Sequence, residues 1–130
     1  MMQKKVQIIS DGSLDLSQEL TKEKDIEVVP FYVSFDSETY QKEMVEVGVR
    51  EFYQEMVDHP TVFPKTSMPS VHDYYEVFEK HAKEQLPVIC ICITRKFSGS
   101  LQSATTAKDM MHRSRSLTLR SILCCRGYMY

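Results

Sequence analysis

The sequence is poor in glycine and carries little net charge, and both shortages argue against whole classes of function. Only four glycines occur among 130 residues, and neither a Walker A motif nor the G-x-G-x-x-G fingerprint of dinucleotide sites is present. No G-x-S-x-G or S-x-x-K motif surrounds Ser98 or Ser103. The formal net charge is −2, so there is no electrostatic reason to expect nucleic acid or an anionic membrane as a partner.

Cysteine and histidine are present, but not at the spacings of metal ligands. Cys90 and Cys92 alternate along a strand candidate, which favours small buried apolar residues over a metal or redox pair. Cys124 and Cys125 are adjacent and lack C-x-x-C spacing. The histidines are scattered along the chain, at His59, His72, His81 and His112. The sequence therefore predicts neither a metal site nor a cofactor.

Long hydrophobic segments are also missing. The first residues lack the apolar region of a signal peptide, and no run approaches the length of a membrane span. We therefore expect a cytoplasmic protein that does not span a membrane. The length of 130 residues predicts a single domain with one hydrophobic core.

Strand and helix signals alternate along the chain. Residues 6–10, 27–35 and 87–93 are typical of strands, and helices are predicted near 15–24, 48–59, 71–85 and 99–112. The unbroken apolar run at 87–93 indicates a parallel strand buried on both faces. Pro30 cannot donate a ladder hydrogen bond, which places that region near an edge or a bend. The predicted fold is α/β, a layered parallel-rich sheet with helices on both faces.

The end of the chain departs from this pattern. All 18 acidic residues lie at or before Asp109, whereas residues 111–130 contain four arginines and no acid. A basic tail that binds a partner is one interpretation; a truncated or frame-disrupted end is the other, and we favour it. We therefore predict a domain over 1–112 and an irregularly packed tail over 113–130.

Two hydroxyl clusters form the candidate site. Thr66 and Ser67 are predicted on a short connection between Pro64 and Pro69, and Ser98 lies where a helix should begin. Gly99 allows the backbone to approach a ligand, and unpaired N–H groups at a helix start favour an anion. If the clusters are neighbours, they suit a carboxylate or phosphate. The alternative is that these hydroxyls only cap helices.

Two catalytic alternatives stay open from the residues alone. Ser98 could act as the nucleophile of a small hydrolase or phosphotransferase. Asp11, Ser13 and Asp15 could bind a metal or phosphate after the first strand, although such residues are more often turn formers and helix caps.

Several motifs over residues 4–111 resemble the amino-terminal domain of the DegV family of bacterial fatty-acid-binding proteins. They are Ile8-Ile9-Ser10-Asp11-Gly12-Ser13-Leu14-Asp15-Leu16, Ile26-Glu27-Val28-Val29-Pro30, Glu51-Phe52-Tyr53, Lys65-Thr66-Ser67-Met68-Pro69-Ser70 and Phe97-Ser98-Gly99-Ser100-Leu101-Gln102-Ser103-Ala104. The combination of Lys-Thr-Ser-x-Pro-Ser with the later Ser-Gly-Ser-x-x-Ser-Ala is specific.

The resemblance implies a non-enzymatic carrier that encloses one long-chain fatty acid and presents it to a fatty acid kinase. It implies that the hydroxyls of Thr66 and Ser98 bind the carboxylate, with the Gly99 backbone as possible support. The resemblance implies that family members have a second, carboxyl-terminal domain that supplies most of the acyl tunnel, and we expect these 130 residues to match only the first domain. A non-functional fragment of such a protein is therefore the other expectation.

Overall fold

The computed structural model describes residues 6–113 and 122–126, which form two compact units. The first unit combines residues 6–29 with 69–113 and 122–126, and the second is Pro30–Met68. The strands are β1 (Gln7–Asp11), β2 (Ile26–Val29), β3 (Tyr32–Ser34), β4 (Gln41–Lys42), β5 (Lys65–Ser67), β6 (Val88–Cys92) and β7 (Ile122–Arg126). The helices are α1 (Gln18–Glu23), α2 (Val49–Asp58), α3 (Val71–Lys83) and α4 (Ser100–Arg113).

The first unit is built on a four-stranded parallel sheet with the strand order β2-β1-β6-β7. The predicted parallel-rich α/β fold is therefore confirmed. The strand order puts β2 and β6 on opposite sides of β1. By the general rule that parallel crossovers are right-handed, α1 lies on one face of this sheet and α3 and α4 lie on the other.

The core of the first unit lies between the sheet and the pair α3 and α4. Cys90 and Cys92 are buried there, as their alternation along β6 predicts. Tyr74 and Phe78 of α3 are fully buried in the same cluster. The cluster also contains Ile9, Val29, Ala82, Val88, Ala104, Ala107 and Met111. The loop after β6 begins at the end of this buried strand.

The other face of the sheet is only partly covered, so the prediction of a run buried on both faces is wrong. Ile8 of β1 is 36% exposed and Ile91 of β6 is 39% exposed. The reason is that α1 spans only six residues and packs beside β2, at the edge of the sheet. An unbroken apolar run does not reveal how long the covering helix is.

The second unit is an antiparallel three-stranded sheet, in the order β4-β3-β5, together with α2. The predicted strand 27–35 is therefore two strands in two different sheets. The chain leaves the parallel sheet after Val29, because Pro30 cannot donate to a ladder, and then starts β3 at Tyr32.

Amphipathic periodicity correctly predicts α2, but none of its residues is buried. Val49, Tyr53 and Val57 are at least half exposed. Phe52 is half-buried, and its ring packs against Phe35 with a centroid distance of 5.4 Å. The second unit thus has much less core than the first.

The other helices agree with the prediction apart from their ends. Ser70 and Asp73 form a capping box at the start of α3. α4 begins at Ser100 and ends at Arg113. α1 begins later than expected, because Ser17 is its N-cap rather than Ser13 or Asp15.

The prediction of an irregular tail over 113–130 is wrong where the structure describes that segment. Arg113 still belongs to α4, and Ile122–Arg126 forms β7, which pairs in parallel with the whole of β6. A strand of five residues can pair through its backbone whatever the charge pattern around it. Residues 114–121 and 127–130 lie outside the described part of the chain.

Candidate functional site

Ser98 lies in the loop between β6 and α4 and caps the helix. Its Oγ accepts the backbone N–H of Ser100 at 3.2 Å, and its own N–H donates to the Thr94 carbonyl at 3.3 Å. The side chain is half-buried. The capping role that sequence reasoning proposed as the alternative is therefore real. It does not exclude ligand binding, because a hydroxyl oxygen that accepts one hydrogen bond can still donate its own hydrogen.

Gly99 lies between the capping serine and the first residue of the helix. It is half-buried, and its carbonyl accepts the N–H of Ser103 at 3.0 Å, which begins the hydrogen-bond ladder of α4. α4 is 14 residues long, so its first N–H groups carry the partial positive charge that favours an anion. Arg95 and Lys96 are exposed in the same loop and add positive charge.

Asp11, at the end of β1, is fully buried and accepts four hydrogen bonds. Oδ1 accepts the backbone N–H of Ser13 at 3.2 Å and the Ser13 hydroxyl. Oδ2 accepts the N–H of Ile93 at 2.9 Å and the hydroxyl of Ser100 at 2.8 Å. Each of the two carboxylate oxygens therefore accepts two hydrogen bonds. Sequence reasoning treated Asp11 as a turn former and missed its role in joining two loops.

Tyr74 of α3 extends this network into the core. Its hydroxyl lies 2.5 Å from the Ser100 Oγ and 3.5 Å from the Cys92 Sγ. Burial raises the pKa of Tyr74, so the phenol keeps its proton. Because Ser100 donates its only hydroxyl hydrogen to Asp11, the Tyr74 hydroxyl must donate to the Ser100 Oγ. The hydrogen bonds therefore run in one direction, from Tyr74 to Ser100 and from Ser100 to Asp11.

Thr66 belongs to the second unit and lies on β5, not on a connection as predicted. It pairs with Val33 of β3 in the antiparallel sheet, and its side chain is exposed. A three-residue strand between two prolines is too short for periodicity to show. Since Ser98 belongs to the first unit, the meeting of the two hydroxyls at one carboxylate stays a prediction.

The geometry gives little support to the catalytic alternatives. Ser98 Oγ faces a backbone N–H, which cannot take up the hydroxyl proton as a general base would. Both Asp11 oxygens already accept two donors, so this carboxylate is not open to a metal or phosphate. Within residues 6–113 and 122–126, no group of three His, Cys, Asp or Glu side chains could hold a metal ion.

Comparison with protein families gives a match along most of the chain. The model described as "Uncharacterised protein, DegV family" matches residues 5–126. A DegV domain-containing protein of Halalkalibacterium halodurans is 40% identical over 108 residues, which cover 82% of this chain and 38% of that protein. One from Clostridium acetobutylicum is 30% identical over 123 residues, 95% of this chain and 43% of that protein. The chain thus spans about two fifths of the length of these relatives.

Solved structures agree with this match. A stearic acid-binding protein from Eubacterium ventriosum is 42% identical, with a TM-score of 0.87 over 92% of this chain and 40% of its own. A structure of a DegV family protein from Thermus thermophilus, described by its fatty acid binding, is 26% identical. Its TM-score is 0.75 over 95% of this chain and 41% of its own. Among the described helices, none is both long and apolar enough to cross a membrane.

Proposed function

The chain belongs to the DegV family, and we propose that it binds a long-chain fatty acid through the carboxylate without catalysing a reaction. The observation that carries this proposal is the similarity to the stearic acid-binding protein of Eubacterium ventriosum, at 42% identity and a TM-score of 0.87. We assign the carboxylate ligands as the hydroxyls of Thr66 and Ser98, with support from the Gly99 backbone.

The chemistry of Ser98 suits this role. A carboxylate accepts hydrogen bonds, and Ser98 has a hydroxyl hydrogen to donate while its oxygen is held by the N–H of Ser100. The start of α4 adds partial positive charge, and Arg95 and Lys96 add full charges nearby. Thr66 contributes a hydroxyl on a short strand whose three residues are all exposed.

The acyl chain supplies the larger share of the binding energy, at about 0.8 kcal/mol for each buried CH₂ group. Because this chain spans about two fifths of its relatives, we propose that the remaining part of the family protein encloses most of the acyl chain. The residues described here then recognise the head group. A fatty acid kinase as partner, which rests on the family resemblance, and a cytoplasmic location belong to the same proposal.

The proposal is tested by two measurements on the purified 130-residue chain. Native mass spectrometry of protein from bacterial cells should show an added mass equal to a long-chain fatty acid. A titration with octanoate, followed by ¹H–¹⁵N NMR, should shift the amide signals of Ser98, Gly99 and Thr66. Octanoate shifts confined to other parts of the molecule, with no lipid mass, would contradict the proposal.

A separate assay addresses the enzymatic alternative. The purified chain is incubated with p-nitrophenyl octanoate and, in a second reaction, with ATP. We expect no turnover above that of the Ser98→Ala variant, because the contact of Ser98 Oγ is a backbone N–H and not a base. Turnover that Ser98→Ala abolishes would replace the carrier with an enzyme.

A further inference from the structure

One carboxylate oxygen holds both ends of the segment that carries Ser98. Asp11 Oδ2 accepts the N–H of Ile93, which directly follows β6, and the hydroxyl of Ser100, which begins α4. These two bonds close the loop over residues 93–100. We propose that Asp11 is a positioning residue for fatty acid binding, an inference that rests on the proposed function. It does not touch the ligand, but it keeps the Ser98 hydroxyl where it can donate to the carboxylate.

The effect of Asp11 reaches Ser98 through Ser100. The Ser100 side chain is fully buried between the Asp11 carboxylate and the Tyr74 hydroxyl. Fixing this side chain also fixes the Ser100 backbone, whose N–H donates to the Ser98 Oγ at 3.2 Å. Since that bond occupies the hydroxyl oxygen, the hydroxyl hydrogen is left to point toward a ligand.

Charge and positioning make opposite predictions for Asp11. A negative charge on the residue that closes an anion-binding loop should by itself weaken anion binding, so its removal should strengthen it. In the Asp11→Asn variant, however, an NH₂ group replaces one of two oxygens that each face two donors. The new NH₂ group cannot accept the hydrogen bonds of the two donors that face it, so one attachment of the loop is lost. If Asp11 positions Ser98, octanoate binding should therefore become weaker.

The experiment compares octanoate with 1-octanol, which has the same chain length and no charge, in NMR titrations of the 130-residue chain. We expect Asp11→Asn to weaken octanoate binding roughly tenfold, the loss for one hydrogen bond to a charged group. Binding of 1-octanol should change by less than about twofold, because 1-octanol has no carboxylate that depends on the position of the Ser98 hydroxyl. Unchanged or tighter octanoate binding in the folded Asp11→Asn variant would overturn the inference.

Two serines form a matched pair that separates positioning from stability. Ser100→Ala and Ser13→Ala each remove one hydroxyl that donates to Asp11, but only Ser100 belongs to the loop that carries Ser98. We expect Ser100→Ala to weaken octanoate binding about threefold to tenfold, and Ser13→Ala to change it by less than about twofold. Equal losses in both variants would overturn the inference. This pair also decides the question if Asp11→Asn does not fold.

The same titrations distinguish this inference from the proposed function. If the wild-type chain shows no octanoate shifts at Ser98, the proposed function fails, and the positioning role of Asp11 fails with it. If wild type binds octanoate and Ser98→Ala weakens binding while Asp11→Asn and Ser100→Ala do not, only the positioning role is wrong.

Discussion

The two hydroxyls assigned to the carboxylate sit in regions of very different construction. Ser98 extends from a loop whose ends are tied to a buried carboxylate, above a core that contains Tyr74 and Phe78. Thr66 lies on an exposed three-residue strand at the edge of a small sheet, in a unit whose helix buries no residue.

This difference separates a preformed donor from one that is held mainly by main-chain pairing. Fixing the Ser98 side chain before the ligand arrives lowers the entropy cost of the bond it makes. Thr66 depends on the pairing of β5 with β3, which covers only three residues on each strand. We therefore expect amino-acid substitutions in the first unit to have larger effects on stability and ligand binding than substitutions in the second unit.

The largest expected difference concerns core packing. Phe78 is fully buried in the first unit, whereas Phe63 of the second unit is 82% exposed. Phe78→Ala should lower the free energy of unfolding by about 3–5 kcal/mol, because it leaves a cavity in a packed core. Phe63→Ala should change it by less than about 0.5 kcal/mol. Urea denaturation followed by circular dichroism measures both; similar losses would remove the contrast between the units.

Ligand binding gives the next largest effect. A hydroxyl that donates to a carboxylate contributes about 1.5–3 kcal/mol, and the lower end of this range applies to the half-buried Ser98, so Ser98→Ala should weaken octanoate binding about tenfold. Thr66→Val should also weaken octanoate binding, but by a smaller factor, because the exposed Thr66 side chain loses rotamer freedom when it binds the carboxylate. NMR titration measures both variants. Ser67→Ala is the control on the same strand, and a loss there as large as for Thr66→Val would mean that Thr66 is not a specific ligand.

A smaller difference should appear in acid. Burial opposes ionisation of Glu27, but hydrogen bonds from Lys80 and His81 outweigh it and hold the pKa of this carboxyl below its ordinary value of 4.5. A lowered pKa stabilises the folded form at pH values above 4.5. That contribution is lost as the pH falls from there through the lower pKa of the folded state.

Urea denaturation at pH 7 and at pH 3.5 measures this loss. Glu27→Gln should remove it, with a difference of less than about 1 kcal/mol because the pair is partly exposed. In the second unit, the N–H groups of Thr39 and Glu38 lower the pKa of Asp36 to about 2. Its turn should therefore keep its hydrogen bonds until the pH falls to about 2, which pH-dependent NMR shifts would reveal. Loss of the Asp36 contacts already near its ordinary pKa of 3.8 would contradict this expectation.

Much of the first unit could be predicted from sequence because local patterns decide it. The alternation of Cys90 and Cys92 and the helix predicted near 71–85 both depend on local geometry, and the structure confirms both. The second unit was predicted less well. The split of 27–35 into two sheets and the strand at Lys65–Ser67 depend on pairing between distant segments, which no local period encodes.

The buried network could not be predicted for a related reason. Asp11 and Ser100 are separated by 89 positions, and Tyr74 and Ser100 by 26. Asp and Ser after a strand are usually turn formers, so composition alone gave no sign that this carboxylate is fully buried. A buried acid with four donors becomes visible only once the ends of β1 and β6 lie side by side.

The most direct test of the account is a crystal structure of the 130-residue chain grown with stearate. We expect the carboxylate to lie within hydrogen-bond distance, about 2.5–3.0 Å, of both Thr66 Oγ1 and Ser98 Oγ. We also expect Asp11 Oδ2 to accept the same hydrogen bonds from Ile93 and Ser100 in the complex. A carboxylate bound elsewhere, or in contact with only one of the two hydroxyls, would contradict the account.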